Sequence, residues 1–240
     1  MLALLACSFV VAHSSPHKAS PLPVDVEDAP LLRSGTAFFV SPDGLMLTSA
    51  HNVKGCRHIN IWRANGPPLT ALIRALERHL DLALLTTPAV MDVAALAPWG
   101  SGEPPQTALY TIGFGLTPST PRVPVLTQGS IDRVVSAAGH PVLVVRARLH
   151  EGNSGGPVVD RNGVLRGIIV GRYSARPELG VAVRTEEIAP FLKLNGVDLR
   201  WSKPGVWPDG GALQQLRRIA ALVQCSDAIE GANGTRGHIR

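Results

Sequence analysis

From Ser34 onward the chain is a train of short apolar runs separated by turn residues, and this pattern narrows its possible folds more than any other feature. Gly35 to Val40 is followed by the turn Ser41-Pro42-Asp43-Gly44 and then by Leu45 to Ala50, which predicts a β-hairpin. Asn65-Gly66-Pro67-Pro68 is a further turn. Similar runs recur at Ala108–Ile112, Arg122–Leu126, Val142–Ala147, Gly156–Val159, Gly163–Val170 and Gly180–Val183. Short strands at that spacing point to an all-β sandwich or barrel. The 24 glycines and 20 prolines supply the turns that such a fold needs. One stretch dissents. Leu72, Ile73, Leu76, Leu80, Ala83 and Leu84 fall near helical spacing, so periodicity alone would make Ala71–Leu85 an amphipathic helix.

The 240 residues suit one all-β unit or two small barrels sharing a cleft. With 45% hydrophobic and 17% charged residues there is ample material for a core, which excludes general disorder. The net charge is +5, but Arg and Lys are scattered and aromatic residues make up only 5%. That argues against nucleic acid as the main partner.

The apolar run Leu2–Ala12 is read as a signal peptide over residues 1–12, although no basic residue precedes it. The expected location is therefore exported, periplasmic or secreted. No other segment is long and apolar enough to span a bilayer. Residues 13–32 read as a Pro/Ser-rich linker. Residues 194–240 form a C-terminal extension, with a helix expected at 212–224 and a loose tail from Gly231. Removing Cys7 with the signal leaves Cys56 and Cys225, which are either one disulfide or two unrelated thiols.

The chemistry concentrates at Glu151-Gly152-Asn153-Ser154-Gly155-Gly156-Pro157-Val158. A glycine two residues before a serine lets the backbone come close and turn its N–H toward a developing oxyanion. A bare Gly-rich β-turn looks much the same, so the serine needs corroboration. A serine hydroxyl is a poor nucleophile without a base. His51 closes the strand begun at Leu45 and can face a cleft. The imidazole in turn needs a partner to fix its tautomer. Asp81 opens the apolar run Leu82–Leu85, whereas Asp43 and Asp160 sit in turns where solvation is expected.

Four segments resemble trypsin-like serine peptidases, most of all the bacterial HtrA/Deg-type peptidase domain. They are Ser34–Val40, Thr48-Ser49-Ala50-His51-Asn52-Val53, Asp81–Leu85 and Gly152–Pro157. The order His, Asp, Ser is that of chymotrypsin-like enzymes and not of subtilisins or α/β-hydrolases. The resemblance implies two antiparallel six-stranded β-barrels over residues 33–193, at about 33–100 and 105–193, plus the short C-terminal helix. It implies a serine endopeptidase acting on polypeptides, with His51, Asp81 and Ser154 as the triad and the amides of Gly152 and Ser154 as the oxyanion hole. No metal or other cofactor is expected. Arg148, Val170, Gly171 and Arg172 would form the substrate pocket, with Arg148 favouring acidic side chains if it faces inward. It makes Asp81 the end of a loop entering a strand, against the helical periodicity. Asn153 replaces the aspartate that digestive-type members pair with a freed N-terminus, so activity without zymogen cleavage is expected. The residues after Leu192 are too few for the PDZ domain common in HtrA proteins. The alternative is a catalytically inactive relative that binds peptides or partners.

Overall fold

The computed structural model describes residues 33–64, 66–88, 95–96, 106–114, 123–137, 139–197 and 211–226. The expected signal peptide, the linker and the tail from Gly231 lie outside these residues, as do Asn65 and Arg122. Thirteen strands are present among the described residues: β1 Arg33–Phe39, β2 Leu45–Ser49, β3 His58–Trp62, β4 Leu69–Glu77, β5 Leu82–Thr86, β6 Ala95–Leu96, β7 Ala108–Phe114, β8 Pro124–Ala137, β9 His140–Ala147, β10 Pro157–Asp160, β11 Val164–Tyr173, β12 Arg176–Arg184 and β13 Ala220–Ser226. Three helices accompany them: α1 Ala50–Val53, α2 Thr185–Leu194 and α3 Ala212–Ile219.

The strands close into two antiparallel barrels, as the sequence predicts. The first runs β1-β13-β3-β4-β5-β2 and is closed. The second runs β10-β7-β8-β9-β12-β11, closes through β10 and β11, and carries β6 on its β11 edge. The doubtful stretch Ala71–Leu85 is not a helix. It belongs to β4 and β5, which pair through Ile73↔Leu85 and Leu76↔Ala83 with a bulge between Ile73 and Ala75. The bulge adds a residue and disturbs the simple alternation that would have marked a strand.

The C-terminal extension departs most from expectation. The helix expected at 212–224 stops at Ile219, and β13 takes over from Ala220. This strand slots between β1 and β3, with Leu222 opposite both Thr36 and Trp62. The first barrel thus takes in a strand from the far end of the chain instead of ending near residue 100. Ala221 and Val223 pack inside this barrel with Phe39, Met46, Ile61 and Leu85. Ala220 and Leu222, on the opposite face, join the core between the barrels with Phe38, Leu84, Ile112 and Ile168. A strand buried on both faces is apolar throughout, and the Ala/Leu-rich run offers no alternation to distinguish it from a helix.

Cys56 and Cys225 form a disulfide with Cα atoms 5.5 Å apart, which settles the open choice between a bridge and two free thiols. Cys225 lies on β13 rather than at a helix end. The second barrel has its own interior of Leu109, Ile131, Val145, Val158 and Ile169. Helices α2 and α3 add Ile188, Leu192 and Leu216 to the core between the barrels. Asp160, expected in solvent, is 4% exposed. Its carboxylate accepts from the amides of Asn162 and Val164 and from both Nε and Nη2 of Arg166, so burial is compensated and the β10–β11 turn is fixed.

Candidate active site

The end of β2 and the single-turn helix α1 present His51. The residue before α1, Ser49, does not cap it, since the Ser49 hydroxyl donates to Ile169 O across the barrel boundary at 3.1 Å. Asp81 does the capping from another segment. Its carbonyl accepts from Ala50 N at 2.8 Å and its Oδ1 from His51 N at 2.9 Å, satisfying two otherwise orphaned amides. Asp81 adopts φ 55°, a left-handed conformation that aspartate tolerates better than most residues. That turn aims its Oδ2 at the imidazole, 2.5 Å from His51 Nδ1. With Nδ1–H donated to the carboxylate, Nε2 is left as the acceptor. The pair is partly open to solvent, with side chains 47% and 32% exposed.

Ser154 follows a single 3-10 turn, Glu151–Asn153, in the link between β9 and β10. The turn is wedged against the second barrel: a Cβ on Gly152 would lie 1.5 Å from Phe114 O, so only glycine fits. Gly155 sits at φ 81° and sends its N–H to Ile169 O at 2.7 Å, turning the chain into β10. Ser154 and His51 line one cleft of about 410 Å³ between the barrels. Among the described residues, Ser154 Oγ makes no hydrogen bond to the His51 ring.

Of the two amides expected to face an oxyanion, that of Ser154 donates to Glu151 O at 3.3 Å, so the Glu151 carbonyl occupies its donor direction.

The four expected pocket residues divide. Gly171 and Arg172 line the cleft, but Arg148 is exposed and neither it nor Val170 belongs to the lining. Just past the end of β9, Arg148 faces outward and Leu149 inward. Leu149 is 4% exposed and Ile169 1% exposed, and both line the cleft. The Leu149 Cδ1 fills the space in front of Gly180.

Several contributing residues carry no role in the sequence reading. Arg33 donates from Nη1 to His51 O at 2.9 Å and from Nη2 to Lys54 O, holding the last carbonyls of α1. Thr36 N donates to Ser154 O at 2.8 Å, and its hydroxyl donates to Gly152 O at 2.6 Å. Thr48 and Asn52 complete this buried group. The available signal was a hydroxyl inside an apolar run, as in Ser34-Gly35-Thr36-Ala37-Phe38 and Leu45-Met46-Leu47-Thr48-Ser49. A buried hydroxyl needs a partner, so such positions mark contacts between elements.

A family model described as a trypsin-like peptidase domain matches residues 35–168. The chain belongs to the trypsin-like peptidase family. Among relatives of this trypsin-like domain, the serine protease Rv3671c of Mycobacterium tuberculosis is 30% identical over 164 residues, which are 66% of this chain and 41% of the relative. Human serine protease HTRA4 is 26% identical over 167 residues, 66% of this chain and 34% of the relative. The chain therefore spans well under half the length of these curated relatives. Solved structures share the fold. The active form of Rv3671c protease superposes with a TM-score of 0.60 at 23% identity, covering 72% of this chain and 77% of that one. A serine endoprotease from Yersinia pestis gives 0.59 at 23% identity, covering 67% of this chain and 57% of that one.

Proposed function

We propose that this trypsin-like domain is a serine endopeptidase, cleaving polypeptides through an acyl-enzyme. The observation that carries this reading is the His51–Asp81 pair at 2.5 Å, opening onto the cleft that holds Ser154. His51 Nε2 takes the Ser154 proton as Oγ attacks the scissile carbonyl, then returns it to the leaving amine. Asp81 holds the ring's tautomer and stabilises the imidazolium. The amides of Gly152 and Ser154 receive the oxyanion once the Glu151–Gly152 peptide has rotated. Labelling of the purified protein by a fluorophosphonate probe, together with casein digestion, tests the reading. A protein that neither labels nor digests casein would instead be an inactive, peptide-binding relative.

We also propose activity without zymogen cleavage. Asn153 is 2% exposed, and its Oδ1 accepts from His150 N at 2.8 Å. A neutral carboxamide needs no ammonium group to balance it in that position. Intact-mass analysis of the active protein should show no specific internal cut, and activity that arises only after such a cut would refute this. Export to an oxidising compartment belongs to the same proposal, and the Cys56–Cys225 bridge supports it.

The cleft wall predicts substrate preference. Leu149 and Ile169 offer apolar surface, and Glu151 adds a like charge against acidic residues. A positional-scanning peptide library should show cleavage after aliphatic side chains and little after Asp or Glu, with discrimination of roughly 10-fold or more. Efficient cleavage after acidic residues would mean that Arg148 or Arg172 governs the pocket instead.

A further inference from the structure

Asn52 is the chain neighbour of His51, yet its carboxamide ends at the backbone of Ser154. Resting on the endopeptidase reading, we propose that Asn52 is a positioning residue that sets the spacing between base and nucleophile across the two barrels.

The need for such a tie follows from the layout. His51 belongs to the first barrel and Ser154 to the second, and proton transfer requires their side chains to meet within roughly 3 Å. No direct hydrogen bond between those side chains holds them in this state, so backbone contacts must hold the two segments in place. Asn52 Nδ2 donates to Ser154 O at 3.1 Å and to Thr48 Oγ1 at 3.1 Å, using both protons of the amide group. The same Ser154 carbonyl accepts from Thr36 N at 2.8 Å, which fills its second lone pair. Thr48 Oγ1 passes its own proton to Thr36 O at 2.7 Å. The Ser154 backbone is thereby pinned from the first barrel by a closed set of bonds, those of Thr48 buried and that of Asn52 to Ser154 partly so.

The seat for the carboxamide is shaped by its surroundings. A Cβ on Gly35 would lie 2.3 Å from Asn52 Nδ2, and one on Gly155 would lie 2.9 Å from it. Asn52 is 3% exposed, at the floor of the cleft. Because α1 is only four residues long, a shift of Asn52 relative to Ser154 carries His51 with it. Positioning of this kind acts on the chemical step, where a misplacement of about 1 Å can cost about 10²-fold. Substrate affinity depends on the cleft walls and should hardly move.

The test uses the full chain carrying Asn52→Ala and, in case that variant folds poorly, Asn52→Ser, whose hydroxyl is too short to reach Ser154 O. Steady-state kinetics and the fluorophosphonate labelling rate are normalised to the folded fraction measured by circular dichroism. The expected result is a fall in kcat and in labelling rate of about 10- to 100-fold, with KM within about threefold of the parent. Per-molecule rates within about threefold of the parent, or a loss confined to KM, would overturn the proposal while leaving the peptidase reading intact. A parent protein that fails to label would overturn both.

Discussion

Ser154→Ala and His51→Ala should each lower kcat by a factor of about 10⁴ to 10⁶, and the double variant should be little worse than either alone. The single losses are large because each residue is useless without the other. A hydroxyl without a base stays protonated, and an imidazole without a nucleophile has nothing to activate. The structure makes the prediction specific to these residues. The His51 ring is oriented by Asp81 Oδ2 at 2.5 Å, and its neighbouring amide is held by the same carboxylate at 2.9 Å. Asp81→Asn should therefore cost less than loss of Ser154 but still about 10⁴-fold, since an amide can hold the ring in the wrong tautomer. The measurement is kcat on a peptide chosen from the library, with fluorophosphonate labelling as the control and circular dichroism to confirm folding. Turnover by Ser154→Ala within 10-fold of the parent would rule out this serine as nucleophile.

Breaking the Cys56–Cys225 bridge should produce the largest effect on stability. Its two cysteines are 169 residues apart. Chain-entropy reasoning for so long a loop gives about 5 kcal/mol, an upper figure because denatured chains keep residual structure. A practical expectation is a loss of about 3–5 kcal/mol in Cys225→Ala, lowering Tm by about 10 °C or more. The effect should not be uniform over the molecule. Cys225 is fully buried on β13, and Arg33 lies against both sulfurs while also holding His51 O. Loosening β13 therefore opens the first barrel beside His51. Thermal melts with and without reductant, read alongside kcat, provide the check. Unchanged melting in the reduced protein would show that packing alone retains β13.

The outline of the fold was legible because turn residues and apolar runs alternate at strand spacing through most of the described chain. The misreadings share physical causes. In Leu69–Thr86 an exposed Leu72 and a bulge between Ile73 and Ala75 together mimicked a helical rhythm, and only the expected place of Asp81 argued against it. In Ala220–Ser226 burial on both faces removed the alternation altogether. Asp160 looked like a turn residue in solvent, because its partner Arg166 comes from the next strand and a linear reading does not pair them. At the candidate site, residue type, order and flanking glycines pointed to His51, Asp81 and Ser154, and the fold puts His51 against Asp81 and lines one cleft with His51 and Ser154. Arg148 against Leu149 was not legible, since one residue of register decides which side chain faces the cleft. Thr36, Thr48 and Asn52 were hidden for a different reason: their function lies in backbone partners more than a hundred positions away or across a sheet, and composition carries no record of those.

The placement of β13 also bears on when the molecule can become active. During synthesis the second barrel's strands are all made before Ala220, while the first barrel still lacks the strand between β1 and β3. A nascent chain truncated before that point leaves two unpaired edges and no finished wall behind His51. Closure must await one of the most distant pairings in the sequence, a slow step in proteins rich in such contacts. The barrel wall behind His51 is thus completed last, after translation of the chain through residue 226.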